Sequence, residues 1–433
     1  MLARLRQLGS NPNRSLLARA LIGDARAMPR PSAASSATAA SSATAASSAT
    51  AASSATAARH LDATYRWLCQ AQDATPDGGV SGLHNLWTGR WSTSYPETTG
   101  YIIPTFLAFG QARGDEEARE RALRMADWLC DVQMADGAVL SGLLGGPRGP
   151  AVFNTGQAVF GWVAAHRQTG AERYADSAVR ACEWLLARQD DDGAWRGNLS
   201  LMTTAPVHTY NGRCAWALIY AAETLGETRF AQAAHAAGEW VLGQQSESGW
   251  FEGNAFSLDE VPLLHTIAYV IEGLLGVWAF SGHRRYLEAA LRAVHPIMAL
   301  SSAGRLGGRL DRDWRATVPW RCPTGDAQIA TVLHRLERHL PGHGYGRAAS
   351  RLIGDVLGVQ RRLGGGTAPV PGGGAAAGGV PGSSPIWGPY MRFSLPNWAA
   401  KFLLDALLLE VEGVDELSFR VRAPEAAARD AAP

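Results

Sequence analysis

The amino-acid sequence predicts an all-α domain of six two-helix units whose helices close into a double ring. A turn motif recurs along the chain at spacings of 55 to 60 residues, and a period of this size indicates a repeat architecture. The helical segments between the motifs alternate between amphipathic and apolar nearly all round. A helix that is apolar all round is typically buried on both sides, so we expect six inner helices and six outer ones.

The recurring motif ends each outer helix. In its complete form, Trp is followed by Gln after five residues and by Asp-Gly three and four residues later, as in Trp128–Gly137 and Trp184–Gly193. The glycine supplies the positive φ that a helix exit often requires. Complete or partial copies lie at 67–78, 128–137, 184–193, 240–249, 295–304 and 355–364. Each copy is followed by a loop and then by an apolar segment, and these lie at 98–114, 154–170, 211–226, 264–282, 325–342 and 397–413.

The two ends of the chain are expected to lie outside the ring. Residues 34–57 read ASSATA four times, a composition that predicts a flexible spacer because it forms neither a helical stripe nor a strand pattern. We therefore expect a disordered tail and linker over 1–58, a toroid over 59–413 and a C-terminal tail over 414–433.

Composition excludes several classes of function. The net charge of +1 and the pI near 7.8 predict no interaction with nucleic acid. The sequence contains no uninterrupted run of about 18 apolar residues, so we expect no transmembrane helix. The five cysteines are widely spaced without a CxxC pair, which is typical of a reducing compartment. We therefore predict a cytoplasmic protein with no disulfide framework, no metal and no cofactor.

The motif W-L-x3-Q-x2-D-G-x-W resembles the QW repeat of squalene and hopene cyclases and of protein prenyltransferases, and the resemblance covers roughly residues 59–412. It implies a six-unit (α/α)6 toroid. The segments GRWSTSYPETTGYIIPT (89–105) and GGVPGSSPIWGPYMRFSLPNWAAKF (378–402) look like those of bacterial toroid proteins associated with polysaccharide assembly.

The candidate site lies where the loops lead into the inner helices, because these loops and first helical turns surround one mouth of such a ring. Polar residues gather at these positions. The candidate catalytic residues are His208, Tyr210, Glu97 and Asp326. The candidate substrate-binding residues are Tyr95, Asn154, Gln157, Asn211, Arg213, His265, Asn397 and Lys401, with Trp87, Trp91 and Trp387 as stacking platforms.

These residue types favour a carbohydrate-active enzyme acting on a bacterial polysaccharide or its precursor. Lyase or epimerase chemistry on a uronate requires a base near the C5 proton and a group that neutralises the sugar carboxylate. His208 and Tyr210 would exchange protons, Arg213 or Asn211 would hold the carboxylate, and Glu97 would be a second proton-handling group. Glycoside hydrolysis requires two carboxylates instead; Glu272 is a further candidate, although it lies deep enough in its helix to satisfy a buried partner.

Two alternatives remain open. A terpenoid cyclase or prenyltransferase would need an acidic D-x-D-D or a complete zinc set. Asp190–Asp192 lies in a repeat turn, however, and Cys322 with Asp326 lacks a later His. A non-catalytic glycan-binding or scaffold protein of an export assembly would keep the tryptophans without an acid–base pair. The enzyme hypothesis requires that at least two of the acid–base candidates lie close enough to contact one sugar; these are Glu97, His208, Tyr210, His265 and Asp326.

Overall fold

The computed structural model describes residues 21, 24, 43–146, 149–363 and 376–421. Between residues 43 and 421 the described segments form twelve α-helices. In chain order they are α1 (Ala43–Asp73), α2 (Pro96–Arg113), α3 (Glu116–Val132), α4 (Val152–Thr169), α5 (Glu172–Leu186), α6 (Gly212–Leu225), α7 (Thr228–Gly243), α8 (Leu264–Ser281), α9 (Arg284–Ser302), α10 (Pro323–His339), α11 (Tyr345–Arg362) and α12 (Asn397–Leu407). A 3₁₀ turn, Thr209–Asn211, leads into α6, and a π-helical turn, Leu408–Glu412, ends α12.

The even-numbered helices form a closed inner ring. Each contacts the next, from α2 through α4, α6, α8 and α10 to α12, and α12 returns to contact α2. A small antiparallel sheet also joins the two ends of the ring. Its central strand β1 (Leu83–Asn85) pairs with β2 (Arg90–Trp91) on one side and with β3 (Ser394–Pro396) on the other. The predicted all-α double ring is therefore confirmed.

The inner helices pack closely because small residues lie where they meet. A Cβ atom on Gly161 of α4 would lie 2.5 Å from the carbonyl oxygen of Gly100 on α2. No real Cβ tolerates that distance, so glycine is what permits this approach. The outer helices present one apolar face to this ring and one charged face to water. In α5, for example, Ala178, Ala181 and Leu185 are buried.

The glutamine and the glycine of the turn motif make the same contacts in successive units, which explains why the sequence repeats them. Gln189 Nε2 donates to the carbonyl of Gly193 in its own turn at 3.0 Å and to that of Ala233 on the next outer helix at 2.9 Å. The turn glycine has φ +89°, and a Cβ there would lie 2.2 Å from the carbonyl oxygen of Ala236. Each glutamine thus ties one unit to the next. The same pair of bonds is made by Gln72, Gln133 and Gln245.

The sixth copy of the motif closes the ring, but its turn glycine is not the predicted one. Gln360 Nε2 donates to the carbonyl of Gly378 at 2.6 Å and to Thr64 Oγ1 of α1 at 2.9 Å. Gly364, the predicted glycine, lies outside the described residues. An insertion between Gln360 and its turn moves the glycine fourteen positions along the chain, so spacing alone could not locate it.

The N-terminal boundary of the helical domain also differs from the prediction. The helix α1 begins at Ala43, so residues 43–58 are helical rather than a flexible spacer. Alanine is the strongest helix former, and a helix already packed through Leu61 and Leu68 extends at little further cost. Asp24 is buried and accepts hydrogen bonds from Arg362 Nε at 2.6 Å and from the backbone N–H of Ile386 at 2.7 Å. The rest of the predicted tail, 1–20, 22–23 and 25–42, lies outside the described residues.

The C-terminal boundary requires a second correction. Residues 414–421 were expected to form an exposed tail, yet Asp415, Glu416, Leu417 and Phe419 are buried. Their acidic and aromatic side chains find partners on inner helices that are distant in sequence, and a local pattern does not reveal such partners. Residues 422–433 lie outside the described residues.

The inner helix α8 is long and apolar enough, by length and composition, to cross a membrane, but 89% of that span is buried inside the ring. It is one of the six buried inner helices of the ring. All five cysteines are free thiols.

Candidate active site

One cavity opens where the inner helices begin. Residues from the starts of α2, α4, α8 and α12, from the 3₁₀ turn before α6 and from three loops form its wall. Five of the thirteen lining residues are tyrosines. The complete lining is Tyr95, Glu97, Tyr101, Phe153, Ser200, Met202, Tyr210, Phe256, His265, Thr266, Tyr269, Tyr390 and Trp398.

Glu97 is the one carboxylate among the residues that line this cavity. It lies in the first turn of α2 and is 8% exposed. Tyr95 donates its hydroxyl proton to Glu97 Oε2 over 2.6 Å. Burial raises the pKa of Glu97 to about 7, although the Tyr95 hydrogen bond and the charge of Arg213 act in the opposite direction. Near neutral pH this side chain therefore exists in both protonation states, as a proton donor requires.

The tyrosines around Glu97 keep their protons. Burial raises the pKa of Tyr95, Tyr210 and Tyr269 well above the ordinary value, and the charge of Glu97 contributes to each shift. The hydroxyls of Tyr101 and Tyr269 are also buried, and a hydrogen bond with Tyr269 contributes to the raised pKa of Tyr101.

A buried polar layer lies beneath the cavity. Arg213 donates from Nε to Gln157 Oε1 at 2.7 Å and from Nη1 to Glu272 Oε2. Glu272 Oε2 also accepts from Gln328 Nε2 at 3.2 Å. As the sequence suggested, Glu272 satisfies a buried partner. The guanidinium of Arg213 makes these buried contacts, and Arg213 is not among the residues that line the cavity.

This layer fixes the protonation of His265. Because Gln328 gives its amide N–H to Glu272, its carbonyl oxygen Oε1 faces His265 Nδ1, 2.5 Å away. An amide oxygen accepts, so Nδ1 carries the proton and Nε2 holds a free lone pair. Burial lowers the pKa of His265 to about 4. His265 is therefore neutral near pH 7, and its Nε2 is available as a base.

The structure thus brings four predicted residues to one cavity: Tyr95, Glu97, Tyr210 and His265. Glu97 and His265 share two neighbours there. The ring of Tyr269 lies 4.5 Å and that of Tyr390 6.2 Å from the ring of His265, and both tyrosine pKa values respond to the charge of Glu97. Two of the acid–base candidates, Glu97 and His265, therefore line the same cavity.

Two predicted catalytic residues do not line the cavity. The ring of His208 stacks on Tyr210, with centroids 4.6 Å apart, and its Nδ1 lies 3.1 Å from the backbone carbonyl oxygen of Ala255. Burial lowers the pKa of His208 to about 4. Asp326 is buried beside Arg321, with 3.0 Å between Oδ1 and Nη2, and burial raises its pKa.

Several predicted binding residues support the wall instead of lining it. Asn154 donates to the carbonyl of Leu140, and Gln157 holds Arg213. Asn397 donates to Ser81 O and Thr98 Oγ1, which links the first and last units. Lys401 pairs with Asp405 at the next turn of α12. Asn211 is buried in the 3₁₀ turn.

The predicted tryptophan platforms also lie elsewhere. Trp87 packs against Phe393, Trp91 packs against Trp67, and Trp387 is half-buried. The indole that lines the cavity is that of Trp398, whose Nε1 donates to the hydroxyl of Tyr390 at 3.0 Å. Sequence reasoning did not propose Tyr101, Tyr269, Tyr390 or Trp398 as site residues. Tyr101 and Tyr269 each lie four residues, or one helical turn, after a predicted site residue, Glu97 and His265 respectively. That spacing is the signal that could have identified them.

Comparison with solved structures relates this fold to α/α toroids. An unsaturated glucuronyl hydrolase specific for heparin matches with a TM-score of 0.63 and 15% identity, covering 83% of this chain and 99% of that one. The unsaturated glucuronyl hydrolase of Bacillus sp. GL1 matches at 0.62 and 16%, covering 86% and 100%. Cellobiose 2-epimerase from Bacillus thermoamylovorans B4167 matches at 0.59 and 11%, covering 79% and 95%. At these identities the likeness defines the fold: this chain is an α/α toroid.

Neither protein-family models nor curated protein sequences gave a match.

Proposed function

We propose that this protein is a carbohydrate-active enzyme that transfers protons to and from a bound sugar, with Glu97 as the acid and His265 as the base. The observation that carries this proposal is their common cavity, in which one group is a partly protonated carboxyl and the other a neutral imidazole with a free lone pair. Two groups whose environments move their pKa values apart are typical of acid–base catalysis. The sugar enzymes among the similar solved structures support a sugar as the ligand.

The geometry favours epimerase-type chemistry. His265 Nε2 would take the proton from a sugar carbon next to a carbonyl group, and the electron pair of that C–H bond would move towards the carbonyl oxygen. Glu97 would protonate this oxygen to give a neutral enol. After the enol has turned its other face towards His265, the His265 imidazolium would return a proton to the carbon and the enol oxygen would return its proton to Glu97. These two transfers would complete an inversion and restore both groups to their starting protonation states.

Two other chemistries receive less support. Glycoside hydrolysis by paired carboxylates would need a second acid, and Glu97 has none among the lining residues. A uronate would need a cation at the site, yet no Arg or Lys belongs to the lining. We therefore favour a neutral sugar, and we keep the expectation that it belongs to a bacterial polysaccharide or its precursor in the cytoplasm, which the five free thiols support.

The two alternative functions are not favoured. A terpenoid cyclase would use an aromatic cavity with a carboxylic acid. Five of the aromatic residues that line this cavity are tyrosines, and their hydroxyl groups suit a sugar better than a hydrocarbon. A scaffold or glycan-binding protein would have no reason to bury an acid and a base against one site.

The experiment that tests the proposal is a screen of neutral and acidic oligosaccharides in D₂O. We expect one neutral glycan to gain deuterium at a single sugar carbon, detected by NMR, without new reducing ends or unsaturated products. Turnover confined to acidic glycans, or cleavage without exchange, would contradict epimerase-type chemistry. If no glycan exchanges or is cleaved, the enzyme proposal fails.

A further inference from the structure

Two described residues of the N-terminal segment that precedes α1, Leu21 and Asp24, contact the folded domain. Both positions are helical, and residues three apart on a helix lie on the same face. Leu21 packs against the hydrophobic core, and Asp24 is 5% exposed. An aspartate is seldom buried to this degree unless its carboxylate is paired. The partners of Asp24 therefore indicate what this face of the segment holds.

The carboxylate of Asp24 joins the end of an outer helix to a loop. Arg362, the last residue of α11, donates from Nε to Asp24 Oδ1 at 2.6 Å, and the backbone N–H of Ile386 donates to Oδ2 at 2.7 Å. Arg362 also donates from Nη2 to Ser384 Oγ at 3.2 Å. Each oxygen of one carboxylate thus binds a different part of the chain, and hydrogen bonds to a charged group are stronger than neutral ones.

Ile386 lies at the base of a loop that carries a residue of the cavity wall. The carbonyl of Ile386 accepts from the backbone N–H of Phe393 at 3.0 Å, so residues 386–393 form a closed loop, which we name the Tyr390 loop. Tyr390 lines the cavity, and its ring centroid lies 6.2 Å from that of His265. Asp24 is therefore connected to the cavity through the base of this loop.

The hydrogen bond from Ile386 to Asp24 is important because Ile386 is buried. Ile386 is 1% exposed, so without the carboxylate its N–H would lose its partner in a buried position. A buried donor without an acceptor costs free energy, and the base of the loop would have to open to regain one. The neighbouring attachment, two backbone hydrogen bonds between Arg321 and Ser384 at 2.8 and 3.0 Å, does not pair that N–H.

We propose that the N-terminal segment is a clasp on the cavity wall, in which Asp24 is a positioning residue: it holds the base of the Tyr390 loop and so keeps Tyr390 against a bound ligand. The hydroxyl of Tyr390 accepts from Trp398 Nε1 at 3.0 Å and can still donate its own proton to that ligand. Removal of Asp24, whether by loss of the segment or by a partner that binds it, would loosen the wall and weaken ligand binding. This inference goes beyond the proposed function, because it applies to any ligand of the cavity.

Hydrogen exchange tests the clasp in the full chain without any substrate. In Asp24→Asn the side chain keeps its size but has one acceptor oxygen for two donors. We expect the amides of the peptide 385–394 to exchange at least about tenfold faster, measured by mass spectrometry, which is the factor that the loss of one hydrogen bond to a charged group gives. The matched control Asp191→Asn, at an exposed acid in the turn after α5, should leave this peptide unchanged.

A second pair of variants tests the same contact from its other side. Arg362→Gln removes a partner of Asp24 and should give the same local change, whereas Arg361→Gln, at an exposed neighbour, should not. Exchange of the peptide 385–394 in Asp24→Asn at the rate of the control would overturn the inference and leave the proposed function untouched. Equally faster exchange in every inner helix would assign Asp24 to overall stability and would also overturn the inference.

The kinetic measurement uses the glycan that responds in the D₂O screen. Because Tyr390 would contact the ligand before and during the reaction, we expect KM to rise about threefold or more in Asp24→Asn, with kcat within about twofold. A fall in kcat at unchanged KM would show that Asp24 does not act through ligand binding and would overturn the inference. If no glycan responds, the proposed function fails, whereas the hydrogen-exchange result still decides the role of Asp24.

Discussion

The hydroxyl of Tyr95 lies 2.6 Å from Glu97 Oε2, two residues along the chain and at the start of the first inner helix. The hydrogen bond stabilises the carboxylate form and so lowers the pKa of Glu97, whereas burial raises it more strongly, to about 7. The pair therefore sets the pH at which Glu97 loses its proton. That dependence makes the proposed chemistry testable by pH.

We predict a bell-shaped pH profile for kcat/KM. Glu97 must be protonated, so the rate falls as the pH rises through about 7, and His265 must be neutral, so the rate falls as the pH drops through about 4. In Tyr95→Phe the carboxylate loses its donor, and the alkaline limb should move to higher pH. An alkaline limb that stays in place or moves to lower pH would remove Glu97 from the acid role.

Gln328 is a positioning residue for His265. Gln328→Met keeps the side-chain size but removes the acceptor for Nδ1–H, a loss worth about 1 kcal/mol. We expect kcat to fall roughly fivefold with KM little changed. The acid limb should move to lower pH, because the hydrogen bond that His265 Nδ1–H donates to Gln328 raises the pKa of His265. An unchanged acid limb, with the protein merely less stable, would assign Gln328 to packing alone.

His208 contributes to packing in this structure, where its ring stacks on Tyr210. His208→Phe retains a flat ring but has no titratable nitrogen. We predict turnover within about twofold of the unmodified protein, measured alongside the exposed control His343→Asn. Loss of turnover at an unchanged melting temperature would restore His208 to the catalytic group that its sequence position suggested.

Substitution of a glutamine of the turn motif tests whether this residue holds adjacent units of the ring together. Gln245 Nε2 donates to the carbonyls of Gly249 and Ala289, whereas the adjacent Gln244 reaches only Trp240 of its own helix, at 3.3 Å. Gln245→Ala should lower the free energy of unfolding by about 1–3 kcal/mol, because two carbonyls lose their donor. Gln244→Ala should change it by less than about 0.5 kcal/mol. Urea unfolding of both variants gives the comparison, and equal effects would contradict the inter-unit role.

The ring was predictable because its determinants are local and repeated. A glutamine three residues before the turn and a glycine at its end recur with nearly constant spacing, and apolar segments alternate with amphipathic ones. The insertion after Gln360 broke that spacing, so Gly378 was missed. The burial of residues 414–421 was missed because Asp415 and Glu416 resemble ordinary surface acids in the sequence. In the folded chain they pair with Arg335, about eighty residues earlier.

Only those site residues that lie at or just before the first turn of an inner helix were predicted from the sequence. Tyr95, Glu97, Tyr210 and His265 lie at or just before the start of an inner helix, and all four reach the cavity. Arg213 holds the same helix position as Glu97 and His265, but its long side chain pairs with the buried carboxylate of Glu272. Lys401 lies one turn further along α12 and pairs with Asp405. Tyr390 comes from a loop whose path no helical period describes.

The most direct test of the central claim is the turnover of Glu97→Gln, measured as deuterium incorporation into the glycan that the unmodified protein exchanges. Gln keeps the shape of the side chain and cannot donate the carboxylic proton, so we predict a loss of at least ~100-fold with the melting temperature nearly unchanged. The control Glu183→Gln, on the outer surface, should retain full activity. Turnover by Glu97→Gln at the level of the control would contradict the account.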